Sequence, residues 1–130
     1  MVKPASGYRS SVLEEGGESP TAALPSPADM AATLQQLFGQ KLTAFMAGTD
    51  NPKNVGQWAR GETRPSPVMA RRLAEVHDIA QLLLRYESPL GVCSWFLGMN
   101  PELDDRAPAE VVGEDPDMVR DAAHVFIATG

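Results

Sequence analysis

The stretch NVGQWARGETRPSP, residues 54–67, decides how the middle of the chain is interpreted. Val55 and Trp58 are spaced as the apolar side of a short helix, and the glycine that follows Arg60 is suited to end it. The Ser-Pro pair near the end of the stretch is typical of the start of another helix. The stretch therefore predicts two helices joined by an elbow. The first helix either packs against its neighbour only or also contacts DNA. The sequence on both sides of it helps to decide between these two roles.

Helical spacing of apolar residues continues on both sides of this stretch. Ser26 and Pro27 predict the start of one helix, and Gly39 and Gly48 predict the ends of two. Leu42, Phe45 and Met46 are expected to form the apolar face of the second of these. A helix predicted to start after Asp115 carries a stripe at i, i+3, i+4, i+7 and i+8, formed by Val119, Ala122, Ala123, Phe126 and Ile127. No segment alternates long enough to predict a strand, so the predicted fold class is all-α.

Three regions are predicted along the chain. Residues 1–26 are rich in Gly, Ser, Pro and Glu and show no helical period, so they predict a flexible arm. Residues 27–87 predict a first helical domain, and residues 88–130 predict a smaller helical domain.

The charge is divided unevenly between these regions. The chain has a net charge of −6, but residues 40–85 carry seven basic and four acidic side chains, and residues 86–130 carry two basic and nine acidic ones. A mildly basic middle beside an acidic C-terminal third indicates two surfaces with different partners.

Composition argues against several classes of protein. Cys93 is the single cysteine, and His77 and His124 lie far apart, so neither a disulfide nor a zinc site is predicted. No nucleotide-binding or nucleophile motif is present, and the acidic residues near the C-terminus are interpreted as a solvated face. We therefore expect no enzyme, no cofactor and no metal. Without a signal pattern or a long apolar run, a cytoplasmic location is expected.

The two short helices before residue 61 have the layout of a helix-turn-helix. Ala44 is small enough for a crossing helix, and Gly48 tolerates the backbone of the turn. Gly56 is expected on the outer face, where it would let the backbone approach DNA. The alternative is a helical unit with a packing role only. The candidate DNA contacts are Thr49, Lys53, Asn54, Gln57, Arg60 and Arg64.

The segment QKLTAFMAGTDNPKNVGQWARGETRPSPVMARRL resembles the Xre (Cro/C1-type) helix-turn-helix. The matching positions are Gln40, Ala44, Gly48, Val55, Trp58 and the elbow that follows. The turn is one residue longer than in the usual pattern. The resemblance implies DNA binding and, because one recognition helix contacts few base pairs, a homodimer on a palindromic operator.

The C-terminal third is similar to the C-terminal domain of antitoxins that pair with RES-domain toxins, the Xre/MbcA/ParS group. The matching positions are Trp95, Leu97, Asn100, Pro101, Leu103, Pro108, Val111, Val112 and Gly130. Asp104 and Asp105 stand where the group has glycines, and Ala107 replaces its capping Thr. The resemblance implies a RES-type toxin that consumes NAD as the partner. The candidate partner-binding residues are Trp95, Asn100, Phe126, Ile127 and Gly130.

The sequence thus predicts an antitoxin that neutralises a RES-type toxin and represses its own operon. The C-terminal tail, with Phe126 and Ile127, either contacts the toxin directly or packs in the core and in the dimer. One alternative for the whole chain is a stand-alone, phage-type repressor whose C-terminal domain only dimerises. Another is an interaction protein whose helix-turn-helix no longer binds DNA.

Overall fold

The computed structural model describes residues 25–129. The predicted arm at 1–26 therefore lies outside the described residues except for its last two, and so does Gly130. The described part is all-α, as the sequence predicts. Its helices are α1 (Pro27–Phe38), α2 (Gln40–Ala47), α3 (Lys53–Ala59), α4 (Pro67–Leu84), α5 (Pro89–Leu97), α6 (Pro108–Val111) and α7 (Pro116–Thr129), with a 3-10 turn at Pro101–Leu103 between α5 and α6. No helix in this part is long and apolar enough to cross a membrane.

Side-chain caps explain where most of these helices begin. The Ser26 hydroxyl accepts from the Asp29 amide at 3.1 Å, and the Asp29 carboxylate accepts in return from the Ser26 amide. The hydroxyls of Ser66 and Ser88 cap α4 and α5 in the same position, each followed by a proline. Such caps satisfy amides that have no partner within the helix. The predicted starts at Pro27 and Pro116 are confirmed.

One hydrophobic core runs through all seven helices of residues 25–129. The long helix α4 contacts α1, α2, α5 and α7. Its buried residues meet Leu34 of α1, Phe96 of α5 and Val119 of α7 in a single cluster. Residues of the predicted first and second domains therefore share this core.

One side chain of α2 lies elsewhere than the sequence predicted. Phe45, expected on the apolar face of α2, is 58% exposed, whereas Met46 is buried. The inward face of α2 is formed instead by Thr43, Ala44, Met46 and Ala47. The Thr43 hydroxyl reaches this face because it donates to the Leu34 carbonyl at the end of α1, at 3.1 Å. The small side chains of Ala44 and Ala47 let α2 pack closely on this face, and the Phe45 side chain lies on the other side of the helix.

Candidate functional site

The connection between α2 and α3 positions the first group of candidate residues. Gly48 adopts φ 92° at the end of α2, in the left-handed region that glycine favours. The Thr49 hydroxyl then accepts from the Asn54 side-chain amide at 2.7 Å, and the Asn51 carboxamide oxygen accepts from the Lys53 backbone amide at 3.1 Å. These two bonds hold the start of α3 against the turn and fix the direction of the Asn54 side chain.

Three of the candidate DNA contacts lie along one side of α3. Lys53, Gln57 and Arg60 are spaced at i, i+4 and i+7, so they share a face, on which Lys53 and Arg60 are exposed and Gln57 is half-buried. Opposite them, Val55 and Trp58 are buried in the core. Because the inward face is anchored, the outward face is held at a fixed angle to α2.

Gly56 is buried, which corrects the expectation that it faces outward. A Cβ atom at this position would lie 2.7 Å from the Gln40 Nε2 atom of α2. The missing side chain therefore allows close packing of α2 and α3 within the chain and offers no surface to DNA.

Arg60 pairs with an acidic neighbour, Glu62, and this pair was not predicted from the sequence. Its Nε and Nη2 atoms donate to the two Glu62 carboxylate oxygens at 2.7 and 3.2 Å. This pairing raises the already high pKa of Arg60 and lowers the pKa of Glu62. An acidic residue two positions from a candidate DNA contact was the sequence signal for this pair. Any phosphate would have to compete with Glu62 for Arg60.

Arg64 lies apart from α3, in the connection that leads to α4. With Trp58, Pro65 and the start of α1 it lines an open groove of about 500 Å³. Its side chain is exposed, so it is free to reach a phosphate beside the face of α3.

The second group of candidate residues surrounds an open cleft between α5 and α7. The cleft has a volume of about 310 Å³ and is lined by Trp95, Met99, Asn100, Pro101, Glu102, Ala122, Val125, Phe126 and Thr129. The Trp95 and Phe126 rings form its floor, with their centroids 6.3 Å apart. Three of the predicted partner-binding residues thus meet in one place. Ile127 packs against the core and does not line the cleft.

Asn100 holds the rim of this cleft. Its carboxamide oxygen accepts from the Glu102 amide at 2.9 Å, and its backbone amide donates to the Arg106 carbonyl at 3.1 Å. Between these bonds Asp104 and Asp105 adopt φ values of 56° and 65°. The loop therefore keeps the left-handed conformation that glycine favours, using residues that tolerate it better than most. Asn100 therefore stabilises the loop that forms the rim of the cleft.

Met99 is the most exposed apolar residue among those of this cleft that were not predicted from the sequence. It follows Gly98 at the end of α5 and is 81% exposed. The sequence did contain a signal for it. Met99 precedes an Asn-Pro turn and belongs to none of the predicted apolar stripes, which indicates an exposed apolar side chain. In the structure it adds a flexible apolar group to the cleft wall.

The residues 25–129 contain no cluster of three or more His, Cys, Asp or Glu that could hold a metal ion. The Cys93 thiol is half-buried and donates to the Leu37 carbonyl at 3.5 Å.

Comparison with known proteins gives one informative match. The chain is 35% identical over 74 residues to a protein of Mycobacterium tuberculosis described as a probable mycobacterial cidal antitoxin. The match covers 56% of this chain and 63% of that protein, so the chain spans less than two thirds of its relative. No protein-family model matches the chain, and no solved structure matches it. The chain is therefore similar to a named antitoxin over somewhat more than half of its length.

Proposed function

We propose that this chain is an antitoxin that neutralises a toxin protein and represses the operon encoding both. The observation that carries the proposal is the apolar cleft between α5 and α7, in a chain that is similar to a named antitoxin. The chain acts by binding alone, in the cytoplasm, with no catalytic step of its own.

The cleft provides what a protein partner requires. Met99 is largely exposed, and the Trp95 and Phe126 rings are only half-buried. Burying such apolar area against a partner is favourable, and a few central aromatic anchors usually supply most of the binding energy. The partner we propose, from the family resemblance, is a RES-type enzyme that consumes NAD and whose active-site entrance is occluded by this region.

DNA binding is proposed for the exposed face of α3. Lys53 and Arg60 would approach phosphates, and Gln57 would contact a base edge. The acidic C-terminal third would repel the DNA backbone, so it would face away from the operator. Two copies of the chain would be needed to present two α3 helices to successive major grooves.

The toxin half of the proposal is tested by purifying the chain with the protein encoded by the adjacent gene. NAD consumption by that protein is measured with increasing amounts of wild type or Met99→Glu. Because Met99 is so exposed, the substitution should leave the fold intact and weaken inhibition at least about tenfold. Val68→Glu, at an exposed site on α4, is the control and should inhibit like wild type. Equal inhibition by Met99→Glu would exclude the cleft, and no association with the adjacent protein would favour a stand-alone repressor.

The DNA-binding part of the proposal is tested with two substitutions, one on the exposed face of α3 and one that removes the acidic partner of Arg60. Gln57→Ala should relax base preference at one operator position and cost roughly 1–3 kcal/mol. Glu62→Gln should release Arg60 and tighten binding to any DNA sequence, with a steeper dependence on salt. Mobility shifts at several salt concentrations measure both. Identical affinities for wild type, Gln57→Ala and Glu62→Gln would contradict DNA binding through α3.

A further inference from the structure

The cleft between α5 and α7 has an acidic border as well as an apolar floor. Among the residues within 25–129 that line the cleft, Glu102 carries the one charge. Glu102 belongs to the 3-10 turn, which packs against α7, and it is exposed. It forms no ion pair within residues 25–129. A carboxylate therefore lies beside the aromatic floor without a charged partner in the described part of the chain.

The loop that carries Glu102 adds two more exposed carboxylates. Asp104 and Asp105 follow closely in the sequence, and neither forms an ion pair within residues 25–129. The one basic side chain of residues 100–106, Arg106, forms its ion pairs with carboxylates on and after α6. The loop therefore keeps an uncompensated negative charge next to the cleft.

The end of α7 adds a partial negative charge to the same cleft. Val125, Phe126 and Thr129 line the cleft from the last turns of this helix. The last carbonyl groups of a helix have no partner within it and form the negative end of its dipole. The last turn of α7 has no basic residue to offset this charge. Arg120 does not offset it either, because its guanidinium bonds Glu75 of α4 on the opposite side of α7.

We propose that the cleft binds a segment of the toxin in which an apolar side chain lies next to an arginine or a lysine. The apolar side chain packs against Met99 and the Trp95 and Phe126 rings. The basic side chain pairs with Glu102 and faces the end of α7. Its long apolar stem lets it cross the edge of the aromatic floor while its charged group reaches the carboxylate.

Charge complementarity favours this segment over other occupants of the cleft. A segment with apolar side chains alone would remove water from Glu102 without giving it a partner, which is unfavourable. An acidic segment would be repelled, because residues 86–130 carry two basic and nine acidic side chains. A basic side chain beside the apolar one avoids both costs and is attracted to this surface from a distance.

This assignment rests on the proposed function, because it takes the toxin as the partner, and it adds the chemistry of the segment that binds. The two are tested by different substitutions. Met99→Glu, in the apolar part of the cleft, tests whether the cleft binds the toxin at all. Charge changes in the loop test whether the bound segment is basic.

The charge of the loop is changed in two ways, and binding to the protein encoded by the adjacent gene is measured by biolayer interferometry at several salt concentrations. Glu102→Gln combined with Asp104→Asn and Asp105→Asn neutralises the loop. Its conformation is kept because asparagine, like aspartate, tolerates the left-handed region. We expect this variant to bind at least about tenfold more weakly at low salt, with a flatter dependence on salt. Glu102→Lys places a like charge against the basic side chain and should raise the dissociation constant by at least about 30-fold.

Glu87 provides the matched controls. It is an exposed glutamate just before α5, at the end of that helix away from the cleft, and it does not line the cleft. Glu87→Gln and Glu87→Lys make the same charge changes as the loop variants at position 102, so both should bind like wild type with the same dependence on salt. Circular dichroism melting confirms that each variant is folded.

A photochemical cross-link identifies the bound segment directly. A benzophenone amino acid at position 129 lies on the exposed edge of the cleft and leaves Glu102 in place. Irradiation of the complex, followed by mass spectrometry, should link this position to a toxin segment with an arginine or lysine within two residues of an apolar side chain. A linked segment that is acidic, or that lacks a basic residue, would overturn the assignment.

The loop variants and Met99→Glu together separate the remaining outcomes. Weakened binding by Met99→Glu with wild-type binding by both loop variants would overturn the basic segment and leave the proposed function standing, with an apolar side chain alone in the cleft. Tighter binding by the neutralised loop would overturn the basic segment in favour of an acidic one. A toxin that does not associate with the wild-type chain would overturn the proposed function and this assignment together.

Discussion

Gly48 and Gly56 look alike in the sequence but have different physical roles. Gly48 ends α2 in the left-handed region, where a side chain is strained by roughly 1–2 kcal/mol. Gly56 has ordinary helical geometry, and its added methyl group would meet the flexible ends of two side chains, Gln40 at 2.7 Å and Arg60 at 3.3 Å. It would displace Gln40 and break that residue's 3.1 Å bond to Gln35. The loss of this exposed bond is offset by the gain of about 1 kcal/mol in helix propensity.

We therefore expect Gly48→Ala to lower the free energy of unfolding by roughly 1–2 kcal/mol and Gly56→Ala to change it by less than about 1 kcal/mol. Urea titration of the two variants beside wild type measures this difference. A larger loss for Gly56→Ala than for Gly48→Ala would show that the packing of α2 against α3 has no room for Gln40 to move.

His77 gives the chain a predictable response to acid. Burial on α4 lowers its pKa below the ordinary value of 6.5, and the neighbouring Asp78 opposes this shift only in part. As the pH falls, the unfolded chain binds the proton before the folded chain does. The contribution of neutral His77 to the free energy of unfolding is therefore fully present above about pH 6.5. It is lost as the pH falls through the lowered pKa of the folded state.

We expect the free energy of unfolding of wild type to fall between pH 7.5 and pH 5, and that of His77→Gln to fall less. Glu75 and Arg71 also face this part of α4. The carboxylates whose pKa is lowered, Glu62 and Glu114, titrate below about pH 4.5 and so outside this range. His124→Gln, at an exposed histidine, is the control. Equal pH profiles for wild type and His77→Gln would show that burial does not set the behaviour of this histidine.

At the scale of elements, α7 is joined to α4 by an ion-pair network centred on Arg120. Its guanidinium bonds the Glu75 carboxylate, lies 3.5 Å from an Asp78 oxygen and donates to Asp117 of its own helix at 2.8 Å. The pair with Glu75 is partly buried, which makes it more effective than a surface pair, and the carboxylates raise the pKa of Arg120.

We expect Arg120→Ala to lower the free energy of unfolding by roughly 1–2 kcal/mol, because it leaves a partly buried Glu75 without its partner. Arg106→Ala is the matched control, since Arg106 pairs with Glu110 and Glu114 on an exposed surface, and its loss should lower the free energy of unfolding less than the loss of Arg120 does. Denaturant unfolding at low and high salt compares the two. Equal losses would mean that burial of the Arg120 network adds nothing.

The sequence is most informative where a single residue controls the backbone. The Ser-Pro pairs at residues 26–27 and 66–67 and the glycine at 39 gave correct helix starts and a correct helix end, because each acts through local geometry. The sequence is least informative where packing between helices determines which side chains are buried. Phe45 is exposed because α2 packs through Thr43, Ala44, Met46 and Ala47, and Gly56 is buried because Gln40 of α2 lies against it. The convergence of Trp95 with Phe126 joins residues 31 positions apart, which no local pattern specifies.

At the scale of the whole molecule, a single core connects the two proposed binding regions. Buried side chains run from Val55 of α3 through α4 to Val119 of α7 without interruption. Substitutions in the cleft therefore affect the stability of the chain as well as any partner contact. A test of the cleft needs two variants that lose similar stability and differ only in their position relative to it.

Phe126 and Ile127 provide that pair. Both are half-buried against the core, but only Phe126 lines the cleft, beside Trp95. Each truncation to alanine should lower the free energy of unfolding by about 1–2 kcal/mol, since each side chain is partly exposed already. We expect Phe126→Ala to lose toxin inhibition at least about tenfold and Ile127→Ala to keep it, with operator binding of both unchanged below their melting temperatures. Melting, inhibition and mobility shifts on one preparation of each variant measure the three effects. Equal loss of inhibition in both would mean that the tail acts through stability, with no direct contact by Phe126.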